Sequence, residues 1–409
     1  MELTPKMNDL LWQTYHRLIA DLTYKTHRFL YAKLSNKNRL QGVIGPRGVG
    51  KTTMLLQYIK ENLYEEGNAF YFSADNIYFN NHSLLVFVDS LYANNNIRYF
   101  FIDEIHKYSN WEQELKNIYD SYPDAHVVFS GSSSIDLIQG SYDLSRRASL
   151  LYLPGLSFRE YLNLTNDSHL ETIAFNELLA EHQQYAAMLM KIPGLSKHFQ
   201  DYLTQGYYPF VFEENQYFTE LLANMLDKTI YEDITNFYNL KTANLIQFKR
   251  ILNFLASIPP GEVKTNNIAQ GLGLDHKTAT HYLEILQRTG LVKFLYPVAH
   301  GKQTLTKPAK IYLDNTTLLT TINQMLAEDL NSGNMRELAF MQLVANAGLP
   351  IYFPEKGDFY INEIIFEVGG KNKTWRQLKS HVGRKFLVKD DILMGSNHEI
   401  PLYLFGFLY

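Results

Sequence analysis

A glycine-rich run followed by lysine and threonine carries the residue types best suited to chemistry in this sequence. Residues 40–56 read L-Q-G-V-I-G-P-R-G-V-G-K-T-T-M-L-L, in which Gly45, Gly50, Lys51 and Thr52 fill the pattern G-x-x-x-x-G-K-S/T. Glycines let the backbone wrap closely around phosphate oxygens, and successive N–H groups with the following helix N-terminus supply positive potential. The pattern predicts a phosphate-binding loop, and a glycine-rich structural turn is the alternative.

Such a loop implies ATP and Mg²⁺ as cofactors. We expect Lys51 to reach the β- and γ-phosphates and the Thr52 hydroxyl to ligate Mg²⁺. The residues expected to contact the nucleotide are Gly45, Pro46, Arg47, Gly48, Val49, Gly50, Lys51, Thr52 and Thr53.

Two adjacent carboxylates end an apolar run further along the chain. Residues 97–104 read I-R-Y-F-F-I-D-E, which is typical of a Walker B strand. We expect Asp103 to hold Mg²⁺ through water and Glu104 to polarise the attacking water. A glutamate directly after the aspartate favours hydrolysis over passive binding, although a strand that merely ends in solvated acids has the same pattern.

A third apolar strand, over residues 125–134, runs into small polar residues. A hydroxyl at its end is a candidate to sense the γ-phosphate, with Ser132 as the first choice and Ser130 and Ser133 as alternatives. An ordinary turn after a strand would explain the same residues.

Further motifs follow in a recognisable order. They are I-D-E-I-H-K at 102–107, S-G-S-S-S at 130–134, L-S-R-R-A at 144–148 and L-S-F-R-E-Y-L at 156–162. With the phosphate loop before them, the chain resembles, over essentially its whole length, the prokaryotic AAA-type ATPases that carry a C-terminal domain of unknown function. The resemblance implies that Arg147, or Arg146 beside it, contacts a γ-phosphate, a task that suits a permanently charged, forked side chain. Two surface arginines are the alternative.

Size and composition limit what the loop can serve. The chain has 409 residues, of which 46% are hydrophobic, so it is long enough for two or three domains with ordinary cores. A formal net charge of −4 argues against coating nucleic acid or membranes by bulk charge. Cysteine is absent, which excludes disulfides and thiolate metal sites. With no secretory signal and no long apolar run, we expect a cytoplasmic protein that does not enter a membrane.

The elements that must position these residues indicate an α/β fold. We predict a P-loop NTPase with a parallel sheet and a helical lid, followed by a winged helix and an α/β domain like a restriction endonuclease. The predicted domains are residues 1–162 for the AAA-type ATPase, 163–243 for the lid, 244–315 for the winged helix and 316–409 for the nuclease-like domain. Residues 1–38 have a helical pattern.

The winged-helix prediction rests on helix, turn, helix and strand signals over residues 244–300, where Asp275 caps the third helix. This stretch has six basic and three acidic residues, a net charge of +3. The basic residues are Lys249, Arg250, Lys264, Lys277, Arg288 and Lys293. The third helix would suit a DNA major groove, but winged helices also serve as protein-contact modules, so both partners remain open.

Three acids near the C-terminus resemble the core of PD-(D/E)XK nucleases. Glu337 is expected on a helix, and Asp358 and Glu367 on successive strands, where such carboxylates hold Mg²⁺. The lysine expected two residues after the last acid is missing, because position 369 is glycine. Lys371 or Lys373 could substitute, but a simple surface loop is the preferred interpretation. We therefore expect an inactive nuclease-like domain.

Function is predicted most firmly for the ATPase. Its catalytic residues are expected to be Lys51, Glu104, Ser132 and Arg147, with Thr52 and Asp103 at the metal. If Arg147 acts on the nucleotide of a neighbouring chain, the protein is a homo-oligomer. One hypothesis is an ATPase that engages DNA through the winged helix. The alternatives are a nucleotide switch that binds a protein partner, and an active ATP-dependent nuclease.

Overall fold

The computed structural model describes residues 5–24, 26–35, 37–132, 144, 146–213, 215–238, 240, 242–260, 265–298, 307–378 and 383–409. The chain forms two compact units, one ending at Gly155 and the other beginning at Leu156. In the part of the chain covered by these ranges, no helix combines the length and hydrophobicity needed to cross a bilayer.

The first unit is built on a sheet of five parallel strands. Its strands are β1 Leu40–Ile44, β2 Ala69–Ser73, β3 Tyr99–Asp103, β4 His126–Gly131 and β5 Ser149–Tyr152. They lie in the order β2-β3-β4-β1-β5, and every neighbouring pair is parallel. Since β4 lies between β1 and β3 and all three are parallel, the residues that follow these three strands lie close together at the carboxyl end of the sheet. The predicted α/β class with a parallel sheet is confirmed.

Four helices accompany this sheet in the described residues. They are α1 Pro5–Ala20, α2 Lys51–Asn62, α3 Leu84–Asn95 and α4 Trp111–Ser121. Leu11, Tyr15 and Ile19 recur every fourth residue on α1 and are buried. The rings of Trp12 and Tyr15 pack at a tilt against the ring of Phe70 of β2, which fixes α1 beside the sheet.

The helical prediction for residues 1–38 is wrong beyond Ala20. Side chains of α2 donate hydrogen bonds to backbone carbonyls of the segment after α1, and these contacts hold that segment against α2. Gln57 Nε2 donates to the carbonyls of Tyr24 and Thr26 at 3.0 and 3.1 Å, and Lys60 Nζ donates to that of Leu22 at 2.9 Å.

The second unit begins with helices. They are α5 Phe158–Asn166, α6 Phe175–Leu189, α7 Leu195–Gln205, α8 Phe218–Lys228, a π-helical turn Thr229–Ile234 and α9 Thr235–Tyr238. Ser157 and Glu160 form a capping box at the start of α5. Arg159 on this helix donates through Nε to the carbonyl of Tyr409 at 3.1 Å, so the first helix and the last residue of the unit are joined.

The next elements follow the predicted order of helices and strands. They are α10 Thr242–Ser257, α11 Thr265–Leu272, α12 His276–Arg288, β6 Val292–Leu295 and β7 Lys310–Leu313, with β6 and β7 antiparallel. The Asp275 carboxylate accepts from the backbone N–H groups of Lys277 and Thr278, as expected for the N-cap of α12.

The last elements are α13 Thr316–Leu326, α14 Ser332–Asn346, β8 Phe359–Ile361, β9 Ile364–Gly369, β10 Lys385–Lys389 and β11 Glu399–Pro401. The four strands lie in the order β11-β10-β9-β8, and only the β8–β9 pair is antiparallel. One hydrophobic core contains residues from the predicted lid, winged-helix and nuclease-like regions. The division of residues 163–409 into three domains therefore stays a prediction.

Candidate functional site

The phosphate loop, residues 45–52, joins β1 to α2. Gly48 and Gly50 have φ angles of 76° and 90°, a region that side-chain-bearing residues rarely adopt. A Cβ on Gly45 would lie 2.1 Å from the carbonyl oxygen of Leu153, so only glycine fits there. Because α2 begins at Lys51, its unpaired N–H groups and its dipole face the loop.

Lys51 is almost completely buried, at 5% exposure. Its ammonium group donates to the carbonyl oxygens of Gly45 and Pro46, each at 2.9 Å. These two contacts keep the charge of Lys51 against the loop backbone, where phosphate oxygens are expected to bind.

Asp103, the last residue of β3, is the centre of a buried hydrogen-bond cluster. Its Oδ2 atom accepts from the Thr52 hydroxyl at 2.6 Å and from the Tyr71 hydroxyl at 2.8 Å, and its Oδ1 atom accepts from the Ser130 hydroxyl. Burial, followed by the charge of Asp103, raises the pKa of Tyr71, so the phenol remains a donor at neutral pH. The cluster joins three strands and α2 at one carboxylate.

Glu104 follows directly at the mouth of this cluster. Its backbone is left-handed, with φ 51° and ψ 39°, and its N–H lies 3.1 Å from Asp103 Oδ1 and 3.2 Å from Ser130 Oγ. The Glu104 side chain is a quarter exposed, and its Oε2 atom lies 3.4 Å from Nε2 of the buried His106. A strained backbone held by hydrogen bonds is common where a side chain must take a fixed direction at a functional site.

The three candidate sensor serines are separated by the structure. The Ser130 hydroxyl belongs to the Asp103 cluster, whereas Ser132 donates its backbone N–H to His106 Nδ1 at 3.4 Å. Ser133 lies outside the described residues. The Ser130 side chain thus contacts Asp103, an expected metal ligand, and a γ-phosphate role for either serine stays a prediction.

Arg147 lies away from the Asp103 hydrogen-bond cluster. It precedes β5, and β5 begins beside the amino-terminal half of β1, since Ser149 pairs with Gln41. Its guanidinium donates to both carboxylate oxygens of Asp120 on α4, at 3.1 and 3.3 Å. Arg146 is exposed. Within one chain, Arg147 therefore lies near the amino-terminal ends of β1 and β5, whereas the phosphate loop lies at the carboxyl end of β1.

Three residues in or beside the site escaped the sequence reasoning. Tyr71 and Arg28 contact the site from distant segments, and no local motif marks either of them. His106 is part of the I-D-E-I-H-K motif, so that motif could have drawn attention to it.

A second polar group, called here the acid cluster, consists of Glu337, Asp358 and Glu367 in the second unit. Lys310 Nζ lies 2.8 Å from Glu337 Oε2 and 3.9 Å from Asp358 Oδ1. Burial, and then the charges of Glu337 and Glu367, raises the pKa of Asp358 to about 6. The acids are therefore close together, and a lysine from β7 lies among them.

The surface-loop expectation is wrong for Lys373. Its Nζ lies 2.6 Å from Oε1 of the buried Glu367, and its side chain covers Gly369, where an added Cβ would lie 2.7 Å from the Lys373 chain. The reason is a turn after β9, closed by a hydrogen bond from the Lys373 N–H to the carbonyl of Gly370 at 2.9 Å. Lys371 is exposed.

The acid cluster does not fit a resident metal ion. Two ammonium groups contact it, and the backbone N–H of Val368 occupies Asp358 Oδ2 at 2.8 Å. Among the described residues, no three Asp, Glu, His or Cys side chains converge as metal ligands. By contrast, Thr52 and Asp103 fit Mg²⁺ bound to a nucleotide, which needs only a hydroxyl and a carboxylate beside phosphate oxygens.

The predicted winged helix has less free positive charge than its sequence count indicates. Lys249 pairs with Asp227 at 2.5 Å, and Lys293 pairs with Asp314. On α12, Lys277 and Arg288 are exposed. Two of the six counted cations are thus neutralised by acids outside the counted stretch.

Comparison with known proteins addresses both units. Residues 37–162 match a family model described as an AAA domain, and residues 196–329 match a domain of unknown function, DUF8612. The AAA-domain match covers the phosphate loop and the strand that ends at Asp103. The match supports an ATP-binding ATPase, and neither description mentions a winged helix or a nuclease.

A relative and two solved structures complete the comparison. An uncharacterized protein of Methanocaldococcus jannaschii is 29% identical over 378 residues, which cover 85% of this chain and 79% of that protein. DnaA from Aquifex aeolicus bound to AMPPCP is 15% identical over 71% of this chain and 90% of its own, with a TM-score of 0.26. A replication initiator DnaA bound to AMPPCP and single-stranded DNA is 14% identical over 68% and 88%, also with a TM-score of 0.26. Likenesses this weak say nothing about the ligands of this chain.

Proposed function

We propose that the first unit binds ATP with Mg²⁺ and hydrolyses it. The observation that carries the proposal is the 2.6 Å hydrogen bond between the Thr52 hydroxyl and Asp103, which joins the phosphate loop to the carboxylate after β3. Thr52 and Asp103 would hold the magnesium ion, which would neutralise negative charge on the phosphate groups.

Other residues of the site bind the phosphates, orient the Asp103 carboxylate and orient the attacking water. Lys51 and the N–H groups at the start of α2 bind phosphate oxygens, and Ser130 and Tyr71 keep the Asp103 carboxylate in one orientation. Glu104, beside Asp103 and contacting His106, is the group that orients the attacking water.

Two substitutions separate binding from hydrolysis. Lys51→Ala should abolish ATP binding, whereas Glu104→Gln should keep binding but lose turnover, because only the transition state needs the positioned water. Nucleotide binding by fluorescence titration and phosphate release give the two readouts, and Glu65→Gln, an exposed glutamate of the same unit, is the matched control. Equal hydrolysis by wild type and Glu104→Gln would contradict the assignment.

We further propose that Arg147 serves the nucleotide of a neighbouring chain, so that the working ATPase is a homo-oligomer. The position of Arg147 supports this proposal, because it lies near the amino-terminal ends of the strands, away from the phosphate loop of its own chain.

For the second unit, we propose a winged helix that contacts DNA weakly and without sequence preference, and an inactive nuclease-like domain. The exposed Lys277 and Arg288 on α12 support the first part, and the pairing of Lys310 and Lys373 with the acid cluster supports the second. A partner protein instead of DNA is the competing function. An ATPase rate that responds to added single- or double-stranded DNA favours DNA, and an unchanged rate favours the protein partner.

A further inference from the structure

Arg28 is a buried arginine, 7% exposed, that bonds two separate segments of backbone in the first unit. Its Nη1 group donates to the carbonyl of Val49 within the phosphate loop. Its Nη2 group donates to the carbonyls of Pro154 and Gly155 at 2.7 and 3.0 Å. A planar guanidinium presents its donors in a rigid fork, so the two segments are held at a fixed spacing.

The segment 153–155, called here the junction segment, also touches the start of the loop. The Leu153 N–H donates to the carbonyl of Ile44 at 2.7 Å, and the Leu153 carbonyl packs directly on Gly45. The junction segment therefore contacts both ends of the phosphate loop, directly at Gly45 and through Arg28 at Val49. Gly155 is the last residue of the first unit, and the next residue begins the second.

The Arg28 contact also sets the direction of a phosphate-binding donor. The carbonyl of Val49 and the N–H of Gly50 belong to one trans peptide, so they point in opposite directions. When Arg28 holds the Val49 carbonyl, the Gly50 N–H points away from Arg28. A phosphate oxygen that accepts from this N–H polarises the peptide and strengthens the bond from Arg28 to the carbonyl.

We propose that Arg28 is a positioning residue that couples phosphate binding in the loop to the junction segment. The inference rests on the proposed ATP binding and adds the route by which nucleotide state reaches the last residues of the first unit. A phosphate on the Gly50 N–H fixes the Val49 peptide, Arg28 follows that peptide, and the carbonyls of Pro154 and Gly155 follow Arg28.

A purely structural role for Arg28 predicts a different behaviour, and Arg39 provides the comparison. Arg39 is half-buried in the same unit and also donates to two backbone carbonyls, those of Tyr119 and Tyr122, at 2.6 and 2.8 Å. These contacts lie near the amino-terminal ends of β1 and β4, away from the loop. Arg39→Met therefore removes bonds of the same kind without touching the proposed route.

The test is hydrogen–deuterium exchange of the full chain with and without a non-hydrolysable ATP analogue and Mg²⁺. In wild type and in Arg39→Met, the analogue should slow exchange in peptides covering both 45–53 and 150–160. In Arg28→Met, peptide 45–53 should still be protected at saturation, at about tenfold higher analogue concentration, because one hydrogen bond from a charged donor is lost around the binding loop. The response of peptide 150–160 should fall to less than half of the wild-type response, and the remainder is what the direct contact of Leu153 with Gly45 transmits.

Arg28→Lys keeps the experiment decisive if Arg28→Met fails to fold. An ammonium group keeps the charge but not the fork, so we expect the response of 150–160 to be at least halved while the fold survives. An unchanged response of 150–160 in these Arg28 variants overturns the proposal, as does a wild type in which 45–53 is protected but 150–160 never responds. Absence of protection in 45–53 of wild type refutes ATP binding itself.

Discussion

Exchange of Arg147 for alanine gives the sharpest test of how the ATPase assembles. Within the chain, Ser149 and Leu153 are four residues apart along β5 and its continuation, which corresponds to about 13 Å at ~3.3 Å per residue. The Leu153 carbonyl packs on Gly45 of the loop, whereas Arg147 precedes Ser149 and is bonded to Asp120. The guanidinium is therefore too far from its own loop to contact a γ-phosphate there.

A site that needs the loop of one chain and Arg147 of the next can be rebuilt by mixing two defective chains. Arg147→Ala alone should lose about a thousandfold or more in turnover, and Lys51→Ala alone should be inactive. If the chains exchange at random, the fraction of intact sites is x(1 − x), where x is the mole fraction of Arg147→Ala. The maximum is about a quarter of wild-type activity at an equal mixture, for a two-fold dimer and for a ring alike.

Phosphate release at saturating ATP, measured across mixing ratios, checks this curve. The control mixture combines Arg147→Ala with a chain that carries both substitutions, and it should stay inactive at every ratio. Asp120→Asn removes the partner of Arg147 but should cost little, since ion pairs this exposed contribute little to stability. A flat, inactive profile for the test mixture would show that Arg147 does not complete a shared site.

Three further outcomes concern the second unit. Lys277→Glu combined with Arg288→Glu should weaken DNA binding and flatten the slope of log affinity against log salt by about 0.9 per lost phosphate contact, with ATP binding intact. Filter binding at several salt concentrations measures this slope. Unaltered DNA binding in the double variant would place the DNA site elsewhere. Linear and circular DNA incubated with ATP and Mg²⁺ or Mn²⁺ should not be nicked, whereas cleavage that is lost in Glu367→Ala would make the protein a nuclease. Because the folded-state pKa of Asp358 is raised to about 6 from 3.8, the folded state holds the extra proton, and the contribution of this group to stability is present below about pH 4 and lost as pH rises to about 6. This contribution to the free energy of unfolding is roughly 3 kcal/mol. Urea unfolding at several pH values measures it, followed by the fluorescence of Trp375 in a chain whose other two tryptophans are replaced by phenylalanine. The pH dependence should be present with Asp358 and absent in Asp358→Asn.

The loop between β1 and α2 and the strand that ends at Asp103 were accessible from sequence because their signals are local. The loop pattern occupies eight consecutive residues, and β3 is an apolar run that ends at its acid. Which serine side chain contacts Asp103 was not accessible from sequence, because it depends on strand register. Ile102 of β3 pairs with Phe129 of β4, so the next residues, Asp103 and Ser130, lie level with each other. A register shift leaves the local sequence pattern unchanged, so the pattern alone does not distinguish Ser130 from Ser132 as the neighbour of Asp103.

Long side chains from distant segments were also beyond the reach of pattern reasoning. Arg28 contacts Val49 and Pro154, which are 21 and 126 residues away in the chain. Its short flanking sequence, T-H-R-F-L, has no periodicity or motif that marks a loop contact. Only the fold brings the phosphate loop and the end of β5 within reach of one guanidinium.

The acid cluster shows how a sequence motif can give an incomplete description of a site. Gly369 lacks the lysine that the nuclease pattern requires, yet the turn after it returns Lys373 to Glu367, and Lys310 arrives from β7. At neutral pH the carboxylates thus face two ammonium groups, and a divalent cation would have to displace them and desolvate beside like charges. A lysine that pairs directly with Glu367 satisfies the charge of that carboxylate instead of leaving it for a metal ion. The charge balance of the cluster, more than the missing lysine at position 369, is therefore the physical reason to expect no cleavage.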